Sequence, residues 1–346
     1  MKKKNIIVTG GSGFIGSELV RTLCFVNKYN ITNIDNLSYS GNNLNLKEIK
    51  KPNYKFIKLD IKNYKKLSKC IYDLNPDIVF HLAAQTHVDR SIDTPSDFVN
   101  TNVLGTFNLI ESCRGYIKKK NKKDFKFIHI STDEVYGSLT SKKSFNEQSP
   151  YNPSSPYSAS KASSDHLVSS WSKTFNFPAI ITNTTNNFGP YQFPEKFIPV
   201  VILSCLRNFP IPIYGKGKQK RDWIFVSDNI EALFLISQKG KIGQKYCISS
   251  GYSLNNLKLA KKICKIMDSI FPKKDKHSAL IKFVEDRPAH DFEYALSSAK
   301  LKSSFSWTPK TNFDEGLELT VKWYIANQDW CKKVLKNFKF GTRLGL

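Results

Sequence analysis

The sequence predicts an α/β fold in which one parallel sheet is covered by helices on both faces. Three observations support this prediction. The first half of the 346-residue chain alternates short β-branched runs with longer helix-like stretches, as strand–helix–strand units do. The strand-like runs are almost continuously apolar, which is typical of strands buried on both faces. With 40% hydrophobic and 24% charged residues, the chain has the composition of a globular protein with a full core.

The periodicity of apolar residues places the individual elements. Short runs rich in Ile, Val, Phe and Tyr predict strands, and longer amphipathic stretches between them predict helices. A proline-rich region after Asn187 predicts an irregular second part. The predicted strands are 6–9, 31–35, 54–60, 77–84, 127–131, 179–184, 223–226 and 245–249, and the predicted helices are 17–27, 62–74, 97–118, 156–175 and 254–267.

The charge of the chain is strongly positive. There are 53 Lys and Arg residues against 29 Asp and Glu, a formal net charge of +24. The lysine clusters at 2–4, 118–123 and 273–276 are short and lack interleaved aromatic residues. We therefore interpret the charge as solvated surface and expect no nucleic-acid partner, with polyanion binding as the alternative. Such a field would also attract a small anionic substrate.

The cysteine spacing and the hydropathy of the chain indicate in which cellular compartment the protein folds. The seven cysteines are widely spaced and form no Cys-x-x-Cys motif, so we predict buried free thiols and no metal site. No run approaches the ~18 apolar residues of a membrane span. The basic start at 2–4 is followed by only three apolar residues, too few for a secretory signal. These features predict a cytoplasmic protein with no membrane partner.

A glycine-rich turn follows the first predicted strand. Gly10, Gly13 and Gly16 would permit a tight turn, close approach of a pyrophosphate to backbone N–H groups, and close helix packing. Asp35 ends the next predicted strand, where a carboxylate can bind both hydroxyls of an adenosine ribose. No Arg stands beside it, so the sequence favours NAD over NADP in a Rossmann-type sheet. The alternative is a structural glycine turn with a surface Asp.

Two later strand ends should complete the cofactor pocket. Asp60 and Ile61 lie where an adenine edge would lie, and Leu82, Ala83 and Ala84 form a segment small enough for close approach. Ligands of open parallel sheets lie outside the carboxyl ends of the strands, so these positions should converge.

A tyrosine and a lysine share one predicted helix face. Tyr157 follows Pro156, and Lys161 lies four residues further along, one helical turn away. A nearby ammonium and the cationic nicotinamide would stabilise a phenolate and lower the pKa of Tyr157. The pair could then take a proton from a hydroxyl group while hydride leaves the carbon.

Two adjacent acids follow the fifth predicted strand. Asp133 and Glu134 can serve one ligand only if the chain leaves the strand there, because adjacent strand residues face opposite sides. The turn expected at Gly137 suggests that it does. Neighbouring carboxyl groups in a pocket can be driven to different protonation states, giving one acid and one base. The alternative is a pair of solvated loop acids.

These motifs resemble those of nucleotide-sugar 4,6-dehydratases in the extended short-chain dehydrogenase/reductase superfamily. The resemblance extends from Thr9 to about Tyr294 and includes segments 81–91, 131–137, 153–161 and 186–196. The Asp–Glu doublet is its discriminating element, because related epimerases lack it. The resemblance implies oxidation at C4 of dTDP-glucose or UDP-glucose, loss of water across C5 and C6, and hydride return to C6.

The resemblance also assigns roles to individual residues. Asp133 would be the general acid, Glu134 the base at C5 and Tyr157 the base of the oxidation, with Thr132 bonded to O4 of the sugar and Lys161 orienting the nicotinamide ribose. NAD would be held by Gly10, Gly13, Phe14, Ile15, Gly16, Asp35, Asn36, Leu37, Ser38, Asp60, Ile61, Leu82, Ala83, Ala84, Thr101, Tyr157, Lys161 and Asn187. Substrate would be held by Thr86, Thr132, Asn186, Lys196, Phe197, Pro212, Ile213, Tyr214, Arg221, Asn256, Asp286, Arg287 and His290.

Several of these assignments have alternatives. The planar fork of Arg221 suits a diphosphate, or it could form a surface ion pair beside Asp222. We interpret Asp89 and Arg90 as a structural ion pair and His87 as a packed loop residue. Four positions depart from the dTDP pattern and leave the nucleotide open: Gln85 replaces Glu, Ala289 replaces Gly, and Phe292 with Glu293 replaces two basic residues.

The domain division follows from the same motifs. We predict an NAD-binding Rossmann domain over 1–188, to which part of 222–250 returns, a smaller α/β substrate lobe over 189–330, and a tail over 331–346. A homodimer through 97–118 and 157–175 is implied by the resemblance. The alternative functions are a 4-epimerase or decarboxylase of the same superfamily, or a non-catalytic dinucleotide- or polyanion-binding protein.

Overall fold

The computed structural model describes residues 3–26, 28–139, 144–288 and 290–336. The strands are β1 Lys4–Thr9, β2 Tyr29–Asp35, β3 Tyr54–Lys58, β4 Ile78–His81, β5 Lys126–Thr132, β6 Ala179–Thr184, β7 Asn186–Phe188, β8 Ile211–Tyr214, β9 Lys220–Phe225, β10 Lys245–Ile248, β11 Ser253–Asn255 and β12 Ile281–Val284. The α-helices are α1 Phe14–Val26, α2 Tyr64–Leu74, α3 Val88–Asp93, α4 Pro95–Phe98, α5 Gly105–Lys120, α6 Pro156–Phe175, α7 Phe197–Arg207, α8 Val226–Lys239, α9 Asn256–Ile270, α10 Ala299–Phe305, α11 Phe313–Ala326 and α12 Gln328–Val334.

The largest sheet has seven strands in the order β10-β6-β5-β4-β1-β2-β3. Every neighbouring pair in it is parallel. The strand order reverses direction between β1 and β4, which is the switch point at which ligands of such sheets bind. The predicted doubly wound parallel sheet is confirmed.

Apolar clusters cover both faces of this sheet. On one face, α1 and α8 bury residues such as Leu23 and Leu233 against β1 and β2. On the other face, α2, α5 and α6 pack residues such as Ile71, Leu109 and Val168 against the same strands. The near-continuous apolar character of the strands follows from this double burial.

The second part of the chain packs around its own core. This cluster includes residues of α7, α9 and α11 such as Val201, Ile263 and Leu317. Two small sheets accompany it, β11-β9-β7 and β12-β8. β10 pairs with β6 and therefore lies in the large sheet, whereas Cys331 of α12 is buried in the second cluster.

Some element boundaries differ from those predicted. The strand predicted over 77–84 ends at His81, and residues 82–84 continue as loop. The helix predicted over 97–118 divides into α4, a π-helical segment Val99–Leu104, and α5. The short strands β7, β8, β11 and β12 were not predicted. Residue 27, predicted to end the first helix, lies outside the described residues, as do 337–346 of the predicted tail.

All seven cysteines lie in the described part of the chain as free thiols, six of them buried. Among the described residues, none of the helices is long and apolar enough to cross a bilayer.

Candidate active site

A cavity of about 280 Å³ opens at the carboxyl ends of the central strands. Its wall includes residues that follow or end β1, β2, β4, β5 and β6, such as Gly10, Asp35, Ala83, Thr132 and Thr184. Parallel strands direct their carboxyl ends to one edge, so residues distant in sequence meet there. The predicted convergence of strand ends is what the fold produces.

The glycine turn fits tightly against the loop after β4. Gly10 has φ of +73°, and a Cβ there would lie 2.6 Å from the backbone N of Ala83. A side chain is therefore excluded by conformation and by space. Gly10, Gly13, Phe14, Ile15 and Gly16 line the cavity where α1 begins, which leaves the backbone open to a phosphate group at a helix N-terminus.

Asp35 is fixed at the end of β2 by backbone donors. The N–H of Ser12 donates to one carboxylate oxygen at 3.0 Å and the N–H of Leu37 donates to the other at 2.8 Å. Burial raises the pKa of Asp35, and these two bonds oppose the rise. Asn36 donates to Asp60 at 3.1 Å, which joins two predicted cofactor residues.

The structure therefore fits NAD as its cofactor. The turn at Gly10, which has no room for a Cβ, and the fixed carboxylate of Asp35 both line the same cavity. This is the donor and acceptor set that a pyrophosphate and a ribose require.

Tyr157 and Lys161 lie on the first turns of α6. A capping box between Ser155 and Ser158 begins the helix, with Pro156 in its first turn. Lys161 donates through Nζ to the carbonyl oxygen of Ile130 at 2.8 Å, and burial lowers the pKa of Lys161 to about 8. The geometry fixes both side chains against the end of β5.

The pKa of Tyr157 differs from the sequence prediction. Burial and the charge of Glu134 raise it, with a smaller opposing effect from Thr132. Burial is the largest cause of this rise, so the protein groups by themselves do not produce the lowered pKa that was expected of Lys161 together with a bound nicotinamide. A cationic ring bound beside the phenol would oppose this rise.

Asp133 and Glu134 leave the strand as expected. β5 ends at Thr132, and a 3₁₀ turn over Asp133–Tyr136 carries both acids to the cavity wall that Tyr157 also lines. Burial and the charge of Glu134 raise the pKa of Asp133 well above its ordinary value. Asp133 accepts from the Thr132 hydroxyl at 3.1 Å, and its Oδ2 is buried without a hydrogen-bond partner among the described residues. These surroundings favour the protonated form of Asp133.

Glu134 is the acid that ionises more readily. Burial raises its pKa, but the positive charges of Arg287, Arg221 and Lys196 oppose that rise. The two carboxyl groups therefore differ in how readily they ionise, which is the arrangement needed for an acid and a base in one site.

Arg221 is a buried residue of β9. Its guanidinium donates to the carbonyl oxygens of Lys220 at 2.7 Å and Asp291 at 3.1 Å and lies 4.2 Å from the ring centre of Tyr294. Asp222 accepts from the hydroxyl of Ser250 at 3.2 Å. The alternative of a surface ion pair between Arg221 and Asp222 is wrong, because both side chains are buried and have other partners.

Most predicted cofactor and catalytic residues meet at the cavity. Its lining includes Gly10, Gly13, Phe14, Ile15, Gly16, Asp35, Asn36, Ser38, Ile61, Leu82, Ala83, Ala84, Thr86, Thr101, Thr132, Asp133, Glu134, Tyr157, Lys161, Asn186, Asn187 and Lys196. The cavity wall does not include Leu37, Asp60, Phe197, Pro212, Ile213, Tyr214, Arg221, Asn256, Asp286, Arg287 and His290.

Some of the outlying substrate candidates lie in the β8–β12 sheet or in the segment that follows β12. His290 and Asp286 pair at 2.5 Å, and burial and the charge of Arg287 lower the pKa of His290 to about 4. Ile213 is fully buried in the second core cluster, so its side chain is not free to line a pocket.

The predicted ion pair of Asp89 with Arg90 is wrong. Asp89 pairs with Arg287 at 3.4 Å and accepts from the Tyr214 hydroxyl at 3.1 Å. The guanidinium of Arg90 instead lies 3.9 Å from the ring centre of Tyr39. His87 is the N-cap residue of α3, and its ring accepts from the N–H of Arg90 at 3.4 Å.

The departures from the dTDP pattern lie in different surroundings. Gln85 lines the cavity, and its backbone exchanges two hydrogen bonds with Asn102. Glu293 pairs with Lys220 at 3.3 Å, and the side chain of Phe292 is exposed. Ala289 lies outside the described residues.

Sequence reasoning missed a contact at the cavity wall. Glu195 lines the cavity and accepts from the hydroxyl of Tyr39 at 2.9 Å. This bond ties the loop after β2 to the segment before α7. Glu195 precedes Lys196 within the motif segment 186–196, and that position was the available signal.

Comparison with known proteins is consistent with this geometry. The family model described as GDP-mannose 4,6 dehydratase matches residues 7–320. The chain belongs to that dehydratase family. A probable dTDP-glucose 4,6-dehydratase of Sinorhizobium fredii is 45% identical over 99% of this chain and 98% of its own length. The resemblance predicted from the motifs is confirmed.

Solved structures of family members agree over the whole fold. A dTDP-glucose 4,6-dehydratase of Bacillus anthracis in complex with NAD has a TM-score of 0.85 and 38% identity, covering 96% of this chain and 99% of its own. One from Streptomyces venezuelae, also with NAD bound, has a TM-score of 0.87 and 35% identity, covering 95% and 99%.

Proposed function

We propose that this chain is an NAD-dependent hydro-lyase that converts dTDP-glucose to the 4-keto-6-deoxy sugar. The observation that carries the proposal is the meeting of Asp133, Glu134 and Tyr157 at one cavity wall. An oxidation requires only the phenol and the cofactor, whereas a dehydration also requires an acid and a base. The differing surroundings of Asp133 and Glu134 supply both.

The cofactor would be held by the glycine turn, Asp35 and Lys161. When bound, NAD accepts a hydride from C4 and later returns it to C6. Tyr157 receives the proton of the C4 hydroxyl, and the lysine ammonium would bind the nicotinamide ribose. The resulting C4 ketone acidifies the hydrogen on C5.

Water is then eliminated between C5 and C6. Glu134 takes the C5 proton as the C6–oxygen bond breaks, and Asp133 protonates the departing hydroxyl. When hydride reaches C6, Glu134 returns its proton to C5. At the end of the reaction Tyr157 has gained one proton and Asp133 has lost one. Transfer of a proton from Tyr157 to Asp133 therefore restores the protonation states with which the reaction began.

The nucleotide diphosphate would lie toward the second part of the chain. Arg221, Arg287 and Lys196 act electrostatically on Glu134 from that side, and a planar guanidinium can bond two phosphate oxygens. The relatives named dTDP-glucose 4,6-dehydratase support dTDP as the nucleotide.

A side-by-side assay tests this function. Purified protein with its bound NAD is incubated with dTDP-glucose, UDP-glucose or GDP-mannose, and the masses of the products are measured by mass spectrometry. We expect dTDP-glucose to lose one water without net formation of NADH. A product of unchanged mass would indicate epimerisation, and either that result or no reaction would contradict the proposal.

We further propose a homodimer formed through α5 and α6. Large apolar side chains are exposed on and just before these helices, namely Val99, Leu104, Phe107 and Phe175. Covering them would remove an apolar patch from water. Sedimentation velocity should give a species of twice the chain mass, and a monomer at micromolar concentration would contradict this. We also propose that the protein is located in the cytoplasm, where cysteines stay reduced, and the free cysteines support this.

A further inference from the structure

Behind Tyr157 and Lys161, the same helix carries a third ionisable residue. Asp165 lies four residues after Lys161 in α6 and is buried to 1% exposure. Residues four apart share a helix face, so Tyr157, Lys161 and Asp165 form one row against the sheet. The proposed reaction gives Asp165 no role.

Three side chains from other elements hold the Asp165 carboxylate. His129 of β5 bonds to Oδ1 at 3.0 Å, while the hydroxyl of Tyr151 donates to Oδ2 at 2.8 Å and the amide of Asn183 donates to Oδ2 at 3.3 Å. These bonds and the positive charge of Lys161 bring the pKa of Asp165 below its ordinary value despite burial. A fully buried carboxylate that stays ionised requires such compensation.

Apart from one lysine, the other groups that face Lys161 and Asp165 have pKa values shifted in favour of their neutral forms, and the ionisable Glu134 faces Tyr157 at the end of the row. Burial and Lys161 lower the pKa of both His81 on β4 and His129 on β5. Burial and nearby acids raise the pKa of Tyr136 and Tyr151, and that of Tyr157. The exception, Lys245 of β10, also faces Asp165 but is only half-buried.

Lys161 is therefore a buried cation that depends on a buried anion. Its pKa is lowered to about 8 by burial, and the charge of Asp165 opposes that fall. The Nζ group bonds to the neutral carbonyl of Ile130, which fixes its direction but supplies no charge. If the negative charge were lost, burial would favour the uncharged amine at neutral pH.

We propose that Asp165 is a positioning residue of the reaction, a buried carboxylate whose charge keeps Lys161 protonated beside the cofactor and substrate. This inference rests on the proposed function and deepens it. Asp165 acts through Lys161 and touches neither the cavity wall nor the reacting carbons. The three bonds from His129, Tyr151 and Asn183 hold the carboxylate in place.

The test is the pH profile of kcat for Asp165→Asn, which keeps the side-chain shape and removes the charge. Because Lys161 must be charged, the alkaline limb should move to lower pH by about one unit or more. At one pH unit above the midpoint of the wild-type alkaline limb, kcat of the variant should then be about tenfold lower than that of wild type. Near pH 6 the two kcat values should converge. Tyr151→Phe is the matched control, since it removes one bond to the carboxylate but leaves the charge.

A double variant assigns the shift to Lys161. Arginine stays charged throughout this pH range, so in a Lys161→Arg background the Asp165→Asn change should leave the alkaline limb where it is. Asp165→Glu, which restores a charge, should bring the limb back toward the wild-type position. Should Asp165→Asn not fold, Asp165→Ser offers a smaller neutral side chain with room for water and the same expected shift.

Two results would overturn the inference. The first is an alkaline limb that coincides with wild type while the rate falls equally at every pH, as a merely structural role would give. The second is a shift that persists in the Lys161→Arg background. Failure of the proposed function is distinguishable from both, because wild-type protein would then release no water from any nucleotide sugar.

Discussion

The two halves of the cavity are lined by different kinds of chemical group. The cofactor half consists mainly of backbone and small side chains, with Gly10, Gly16 and Ala83 in close contact and one fixed carboxylate at Asp35. The catalytic half concentrates ionisable groups in a buried setting, where burial and the charge of Glu134 raise the pKa of both Asp133 and Tyr157. The first half recognises a shape, whereas the second sets protonation states.

This difference predicts separable defects. Changes in the cofactor half should alter how tightly NAD is held, because its groups bind a ligand that ends the reaction as it began. Changes in the catalytic half should alter turnover or its pH dependence while NAD stays bound. Variants that mix the two defects would contradict the division.

The largest effect is expected for Glu134→Gln. The amide cannot accept the C5 proton, so kcat should fall by roughly 10³-fold, within the range of lost acid–base catalysis. The NAD content of the purified protein should match wild type. Steady-state rates and the absorbance of released NAD measure both.

Glu318→Gln is the matched control for this change. Glu318 is exposed on α11 and pairs with Lys322, so the same chemical substitution should leave kcat within about twofold, as surface changes usually do. Equal losses in the two variants would show that the doublet has been wrongly assigned.

The next largest effect is expected for Asp35→Asn. Losing a charged acceptor for the ribose hydroxyls should raise the dissociation constant of NAD by about 10- to 100-fold, since such hydrogen bonds contribute about 1.5–3 kcal/mol. Saturating NAD should restore kcat. Asp73→Asn, at an exposed position on α2, is the control, and a kcat that stays low at saturating NAD would contradict the prediction.

The smallest of the three effects concerns Arg287→Met. Glu134 acts as a base only when ionised, and the Arg287 charge opposes the rise in its pKa. Removing that charge raises the pKa of Glu134, so the acid limb of kcat/KM should move to higher pH by about one unit. Lys282→Met, an exposed lysine on β12, should leave the limb in place. A limb unmoved in Arg287→Met would show that this cation does not act on Glu134.

The parts of the site that the sequence could predict depend on short spacings. One turn contains Gly10, Gly13 and Gly16, and one turn of a helix separates Tyr157 from Lys161. Local backbone geometry therefore brings the members of each set together. The Asp133–Glu134 doublet required one further inference, that the strand ends before it. The sheet followed from the same local patterns, because both of its faces are buried.

The remaining parts depend on tertiary contacts without a local pattern. Arg287 and Asp89 are 198 positions apart and His129 and Asp165 are 36 apart, and nothing in their neighbourhoods indicates the pairing. Asp89 has a basic neighbour in sequence, which made the wrong partner plausible. The short strands β7, β8, β11 and β12 contain three or four residues each, too few for a clear period.

The central claim is that one cavity performs an oxidation and an elimination on the same hexose. Incubation with dTDP-glucose deuterated at C4, followed by mass spectrometry and NMR of the product, tests it most directly. We predict a product that has lost one water and carries the deuterium at C6. Deuterium released to solvent, or retained at C4 in a sugar of unchanged composition, would contradict it.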